Sequence, residues 1–389
     1  MEKRIIALDN LRVLIALFVA IFHVIFFLYL FHSAQLGFIA YSFEQVFFSK
    51  MPQGIYSIAF FSVTYVPFFM NTFYLLSGFF ANAACQEKSG RHFAKNRLVR
   101  IGIPLLFYFL CMAVYYLFAY LLPVVVSQKK AFLTVVSEQY YHGPLWTYFN
   151  NTSTYWFLDL LLWYGFFTLA FIGIRQLNMI PQKFFTGASK IITLLFLSRW
   201  ACICVPAFIV SLLLWGNHWY LVLDAHIIPS FHILLFYGLW YFMGWNIYNH
   251  QETLVDIQYY AVLMLLLSIL LYFTHAFLYI HFIDKHDFFA YLVSSALFAS
   301  SLVLSVFGWI GFFLRYCSIK RSWLHYLSAG SYWMYLIQIP IIYIVSAACI
   351  VYLKSFLVQF LVCISIFAVI YFLTFHFLVR RTWLRKVLG

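Results

Sequence analysis

The sequence predicts an all-α, polytopic integral membrane protein with about ten transmembrane helices, and three observations carry that prediction. First, the 389 residues are 65% hydrophobic and only 9% charged. A soluble domain averages about a quarter charged residues, so this chain could not coat itself for water, and lipid must be its solvent. Second, apolar stretches of spanning length, about 20 residues each, recur from one end of the chain to the other. Third, Lys and Arg gather on alternate connecting segments. The composition excludes an ordinary cytosolic enzyme, a disordered chain and, despite a net charge of +13, a nucleic-acid binder. Strand-like alternation is absent, so a barrel is not expected.

The first apolar run, 11–31, follows Lys3 and Arg4 and has the outline of a secretory signal. It is too long for a signal's apolar region and lacks an A-x-A cleavage site, so a retained first helix is expected. The remaining runs are 56–81, 101–126, 155–174, 191–215, 227–248, 258–280, 289–314, 330–353 and 357–379. Segments 32–55 and 127–154 are long; the other connections are short. Neither a low-complexity linker nor an internal repeat is visible, which points to a single membrane domain over 1–389.

With the N-terminus in the cytoplasm, seventeen of the 24 Lys and Arg fall on cytoplasmic segments. Lys50, Lys129, Lys130, Lys285 and Lys354 fall outside, and Arg12 and Arg199 lie in or at the edge of helices. Both termini are therefore expected to be cytoplasmic, and the net charge reads as a topology signal plus attraction to anionic lipid. Seven cysteines show no C-x-x-C pair. Most lie in apolar stretches and read as small buried hydrophobes, not as a disulfide framework or metal site.

A polar residue inside a spanning helix is expensive and asks for a reason. The first helix has Asp9, Arg12 and His23. Asp9 and Arg12, at i and i+3, share a face and can pair. Arg12 and His23 also share a face, about 16 Å apart along the axis. Ala16 and Ala20 lie near it and let another helix approach closely. This stripe must face protein or water. Arg12 alone could be an interfacial arginine that snorkels. His23 sits mid-membrane, where it serves either as an interhelical hydrogen bond or as a proton-handling group near neutral pH.

The stretch Leu8-Asp9-Asn10-Leu11-Arg12, followed by His23 with ten residues between the arginine and the histidine, resembles the opening of the membrane-bound acyltransferase family 3. Phe73-Tyr74-Leu75-Leu76-Ser77-Gly78-Phe79 looks like that family's F-x-x-x-S-G-F signature, and Arg97-Leu98-Val99-Arg100 leading to Pro104 looks like its R-x-x-R segment. Looser matches follow. Tyr155-Trp156-Phe157-Leu158 resembles L-W-F-L, with Thr154 where His is usual. Residues 235–245 look like the F-x-x-G-W stretch. Ser331-Tyr332-Trp333-Met334-Tyr335-Leu336-Ile337-Gln338-Ile339-Pro340 resembles S-Y-x-x-Y-L-x-H-x-P. Gln338 replaces a histidine there, so that position is given no acid–base role. The resemblance covers about residues 5–345 and leans towards the branch that includes the glucans biosynthesis protein C type, which adds succinyl groups to periplasmic glucans.

That resemblance implies transfer of an acyl group, acetyl or succinyl, from cytoplasmic acyl-CoA (acetyl-CoA or succinyl-CoA) to a hydroxyl of an extracytoplasmic carbohydrate, in a bacterial inner membrane. His23 would be the base, and Arg12, oriented by Asp9, would help to position the donor. Arg12, Ser77, Gly78, Arg97 and Arg100 would converge on a cytoplasmic mouth and hold the donor, arginine being suited to phosphate. Taken alone, R-x-x-R is positive-inside charge, and Ser77-Gly78 is helix packing. On the outer side, Trp156, Asp159, Asp224, His226 and His232 could line an acceptor pocket; individually they read as interface caps, loop charges and aromatic belt. No metal is implied, and G-x-S-x-G, Walker-A, G-x-G-x-x-G and H-E-x-x-H patterns are missing. The rival class is a secondary transporter or flippase, which also has buried Arg and His but needs no acyl donor.

Overall fold

The computed structural model describes residues 2–35, 53–87, 90–116, 156–177, 187, 190, 201–216, 227–282 and 288–385. Among them all regular structure is helical, with no strand. The helices are α1 (Glu2–Gln35), α2 (Gln53–Glu87), α3 (Gly90–Arg97), α4 (Ile103–Tyr116), α5 (Trp156–Gln176), α6 (Ala201–Gly216), α7 (Phe231–Asn249), α8 (Thr253–Phe282), α9 (Phe288–Tyr316), α10 (Ser322–Tyr352) and α11 (Phe356–Thr374). Six of them are long and apolar enough to cross a membrane: α1, α5, α8, α9, α10, and α11 with the π-helical turn Phe375–Val379 that prolongs it. The protein is an all-α integral membrane protein. The other predicted runs fall on α2, on α4 and α6, which are described only over part of the run, and on α7, whose 19 residues are rich in Tyr and Trp.

Helix ends differ from the sequence expectation where nothing breaks the helix. α1 runs to Gln35 because His32-Ser33-Ala34-Gln35 contains neither Gly nor Pro. α10 starts at Ser322, well before residue 330, for the same reason. The junction of α3 and α4 shows the opposite case. Pro104 has no N–H to donate to the preceding turn, and the ladder widens into a π-helical turn over Leu98–Gly102, with the Ile103 N–H reaching back to the Leu98 carbonyl.

The described residues form two compact units. Unit 1 holds α1, α2 up to Leu76, α6 and α8–α11. Its polarity is inverted relative to a soluble bundle. α8 exposes Leu263, Leu266, Leu270, Phe273 and Phe277 to lipid, while Ser268 and His275 are fully buried. α9 buries Ser294, Ser295, Ser301 and Ser305. The two helices run antiparallel along one seam. His275 Nδ1 lies 2.8 Å from Ser294 Oγ and 3.0 Å from its carbonyl, and Ser301 Oγ donates to the Ser268 carbonyl at 3.0 Å. At Gly311 the backbone of α9 touches that of α8, and a Cβ there would strike the Ile257 carbonyl. α1 lies against α10, and α10 against α11.

Unit 2 holds α2 from Ser77, α3, the π-helical turn, α4, α5 and the body of α7. Its centre is aromatic: Tyr164 stacks on Tyr241 at 5.2 Å, and Trp156 meets Tyr237 at 5.2 Å. The Tyr164 hydroxyl donates to the Leu234 carbonyl at 3.0 Å, which fixes α5 to α7.

Gly311→Leu should lower the stability of the detergent-solubilised protein by about 1–3 kcal/mol, since the strut it meets is backbone and cannot move aside. Gly173→Leu, which meets nothing within 4 Å, should leave the thermal midpoint close to wild type. Equal midpoints for the two variants would contradict the α8–α9 contact.

Candidate functional site

In unit 1 the site starts from α1. Asp9 Oδ1 and Arg12 Nη2 pair at 3.3 Å, one helical turn apart, with both side chains about a third exposed. The same Nη2 donates to Ser328 Oγ at 3.0 Å and to the Ser328 carbonyl at 3.3 Å. Arg12 Nε is buried without a hydrogen-bond partner. Asn10 Nδ2 donates to the Cys317 carbonyl at 2.7 Å, tying the start of α1 to the end of α9. Arg12 is thus held by protein and does not simply reach for the interface.

Further along the same face, Ala16 and Ala20 pack into a core with Met334, Ile342, Cys363 and Phe367 of α10 and α11. His23 follows, 7% exposed, with the rings of Phe22 and Phe27 at 5.3 and 6.2 Å. The side-chain amide of Gln338, fully buried on α10, lies beside the imidazole. Their approach, like that of the Val19 carbonyl to the imidazole, is loose: His23 Nδ1, Gln338 Oε1 and Gln338 Nε2 are all buried, and none makes a well-formed hydrogen bond among the described residues. Asn71, fully buried on α2, is a second amide with neither polar atom bonded.

The pairs Arg12–Ser328 and His23–Gln338 advance together along both chains, so α1 and α10 run parallel. Trp333 Nε1 donates to Thr374 Oγ1 at 3.0 Å, and Ser346 Oγ lies 3.6 Å from Cys363 Sγ, so α10 and α11 run antiparallel. Together these contacts place the start of α1, the end of α9 and the end of α11 at one end of unit 1.

In unit 2, Gly78 lets α2 press onto α7. A Cβ at this position would collide with the Tyr241 carbonyl and come within 3.1 Å of the Trp245 nitrogen. The close approach that Gly78 permits is therefore that of the α7 backbone. Asn82 Nδ2 reinforces the contact by donating to the Trp245 carbonyl at 2.7 Å. Ser77 is half-buried. Arg97 has its guanidinium 4.9 Å from the Phe93 ring centroid and its Nε buried without a partner. Its charge acts on both Cys85 and Tyr241, the latter 3.1 Å by its hydroxyl from Thr168 Oγ1. Gly78 and Arg97 thus share Tyr241 as a neighbour, whereas Arg100, beyond the first residues of the π-helical turn, is exposed. Burial pushes the Cys85 thiol up, and Arg97 opposes this more weakly, so Cys85 is held as a neutral thiol.

Of the residues expected on the acceptor side, Trp156 and Asp159 are buried on α5, at 6% and 7% exposure, and His232 is half-buried at the start of α7. Asp224 and His226 lie outside the described residues. The sequence does not single out Ser328, Tyr241 or the His275–Ser294 pair, and it names Gln338 only as a position without an acid–base role. Gln338 had a signal, since it sits in the Ser331–Pro340 stretch that carries the resemblance; Ser328 had none. Among the described residues there is no group of three or more His, Cys, Asp or Glu arranged to hold a metal ion.

A helical membrane bundle that lines up a half-buried Asp9–Arg12 pair and a buried His23 on one helix face, with the Gln338 amide beside the imidazole, has the makings of a membrane-embedded enzyme. A family model described as an acyltransferase domain matches residues 5–375, and the chain belongs to this acyltransferase 3 family. It is a membrane acyltransferase, of a kind that works on carbohydrates generally. Comparison with curated proteins gives no match, and comparison with solved structures gives none either.

Alkylation of Cys85, followed peptide by peptide against pH, should have a midpoint above that of an exposed cysteine. Arg97→Gln should shift it higher still, because the opposing positive charge is removed. A profile that Arg97→Gln leaves unchanged would contradict the placement of Arg97 beside Cys85.

Proposed function

We propose that this protein is an O-acyltransferase that moves an acetyl or succinyl group from cytoplasmic acyl-CoA to a hydroxyl of an extracytoplasmic glycan or other cell-surface carbohydrate, in a bacterial inner membrane. The observation that carries this reading is His23: a buried imidazole in the middle of a spanning helix, with Nδ1 unbonded, in a chain of an acyltransferase family. Such a group is suited to take the proton from an attacking hydroxyl and return it to the departing sulfur. The branch with the glucans biosynthesis protein C type remains the most specific guide to acceptor and acyl group.

Arg12, oriented by Asp9 and Ser328, would position the donor, using the Nε that has no protein partner. The family resemblance implies that Arg97 and Arg100 also serve the donor, their guanidinium groups being suited to the bidentate hydrogen bonds that phosphates accept, with the Ser77 hydroxyl as a further contact and Gly78 seating its own segment on α7. Trp156, Asp159, Asp224, His226 and His232 would serve the carbohydrate, aromatic faces for stacking and polar groups for hydroxyls. The end of unit 1 where α1 starts also carries Arg315, Lys320, Arg321, Arg380 and Arg381, which supports a cytoplasmic location for it and for both termini. Ten spans forming a single domain over 1–389 would fit that arrangement.

The test is glycan mass spectrometry on cells lacking the protein and complemented with wild type, His23→Ala or Arg12→Ala. Wild type should restore an acetyl or succinyl ester, and His23→Ala should lower it by about 100-fold or more. An ester restored by His23→Ala at normal expression would overturn the assignment of the base. Loss of glycan or lipid export with no ester ever missing would favour a transporter.

A further inference from the structure

Gln338 is a buried polar side chain with no role in the proton transfer assigned to His23. Its amide is fully buried on α10, between apolar neighbours that include Met334 and Ile342. An amide offers two N–H donors and one acceptor oxygen, and here none of them makes a well-formed hydrogen bond, the polar neighbour being the His23 imidazole. Leaving a buried polar group unpaired is costly, because the water it gave up is not replaced. That cost is sustained where a ligand completes the hydrogen bonds, and beside Gln338 the facing group is His23, whose Nδ1 is also unbonded. Two unsatisfied groups with complementary abilities, one a base and the other a neutral N–H donor, thus flank the same point between α1 and α10.

We propose that Gln338 is a catalytic residue whose Nε2–H binds the carbonyl oxygen of the acyl thioester and stabilises the oxyanion that forms there. The inference rests on the acyl-transfer reading given above. In the step, the acceptor hydroxyl oxygen forms a bond to the thioester carbon as its proton passes to His23. The carbonyl π electrons move onto oxygen, where Nε2–H meets the negative charge. They then return as the carbon–sulfur bond breaks, and the thiolate leaves with the proton from His23. Ester and free thiol are the products, with no net proton released. A neutral donor is well suited to a buried site, because it stabilises the oxyanion without bringing a second desolvated charge.

The experiment uses the full-length protein in nanodiscs with acetyl-CoA or succinyl-CoA as donor and a cell-surface glycan extract as acceptor, following release of coenzyme A thiol. Gln338→Leu removes the donor. Gln338→Glu keeps the shape but, when ionised, only accepts. Gln338→His restores an N–H of similar reach. Gln338→Leu and Gln338→Glu should lower kcat by about 100-fold while the KM for acyl-CoA changes by less than about threefold, and Gln338→His should recover most of the loss. Thermal midpoints identify any variant that fails to fold, and the remaining variants then decide. Folded Leu or Glu variants with kcat near wild type would overturn the proposal and leave acyl transfer standing. So would a folded His variant no better than the Leu one. Wild type that releases no coenzyme A from either donor would overturn both.

Discussion

Arg12 is a charge placed where lipid would punish it, and the contacts that make it tolerable also set the register of unit 1. Asp9 offsets its charge at 3.3 Å, and Ser328 accepts from it through both hydroxyl and carbonyl. Once Arg12 is tied to Ser328, the equal rise of two parallel helices determines what meets what farther in. His23 lies eleven residues beyond Arg12, and Gln338 ten beyond Ser328, so both rise about 15–16 Å and arrive at the same level. A slip of one residue would turn His23 by about 100° and aim the imidazole elsewhere. The contacts of Arg12 therefore set the level at which His23 and Gln338 meet.

Such a register also needs helices that can come close. Ala16 and Ala20 supply this between α1 and α10, Gly311 between α9 and α8, and Gly78 between α2 and α7. Lipid gives no hydrophobic drive for helices to associate, so small residues and interhelical hydrogen bonds must provide the specificity. The serines of α9 answer the second need, with Ser294 against His275 and Ser301 against the Ser268 carbonyl. Large apolar side chains are spent on the outer faces, as on α8.

Much of this was legible in the residues. Spanning helices follow from apolar length, and the shared face of Asp9, Arg12 and His23 follows from helical periodicity. The pairing partners were not legible, because a spacing within one helix says nothing about which helix it meets. Ser328 is an ordinary serine in the sequence and becomes a determinant only when α10 is laid beside α1. Gln338 stood in a recognisable stretch, yet the replacement of histidine there argued against acid–base chemistry, and an oxyanion donor does not need to titrate. In the sequence Gly78 suggests a place for the donor to approach; in the structure the close approach there is that of the α7 backbone. Arg97 and Arg100 looked equivalent, but the π-helical turn that Pro104 induces separates a half-buried guanidinium from an exposed one.

The central claim is that the acyl group passes from one side of the membrane to a carbohydrate on the other along the α1–α10 line. Proteoliposomes of known orientation test it most directly, with acetyl-CoA labelled in the acetyl group supplied on one side and a cell-surface glycan extract on the other. Label should appear as a base-labile ester on the glycan only when the donor faces the arginine-rich end of α9–α11, and His23→Ala should abolish it. Ester formation only when donor and glycan share a compartment would contradict transfer across the bilayer.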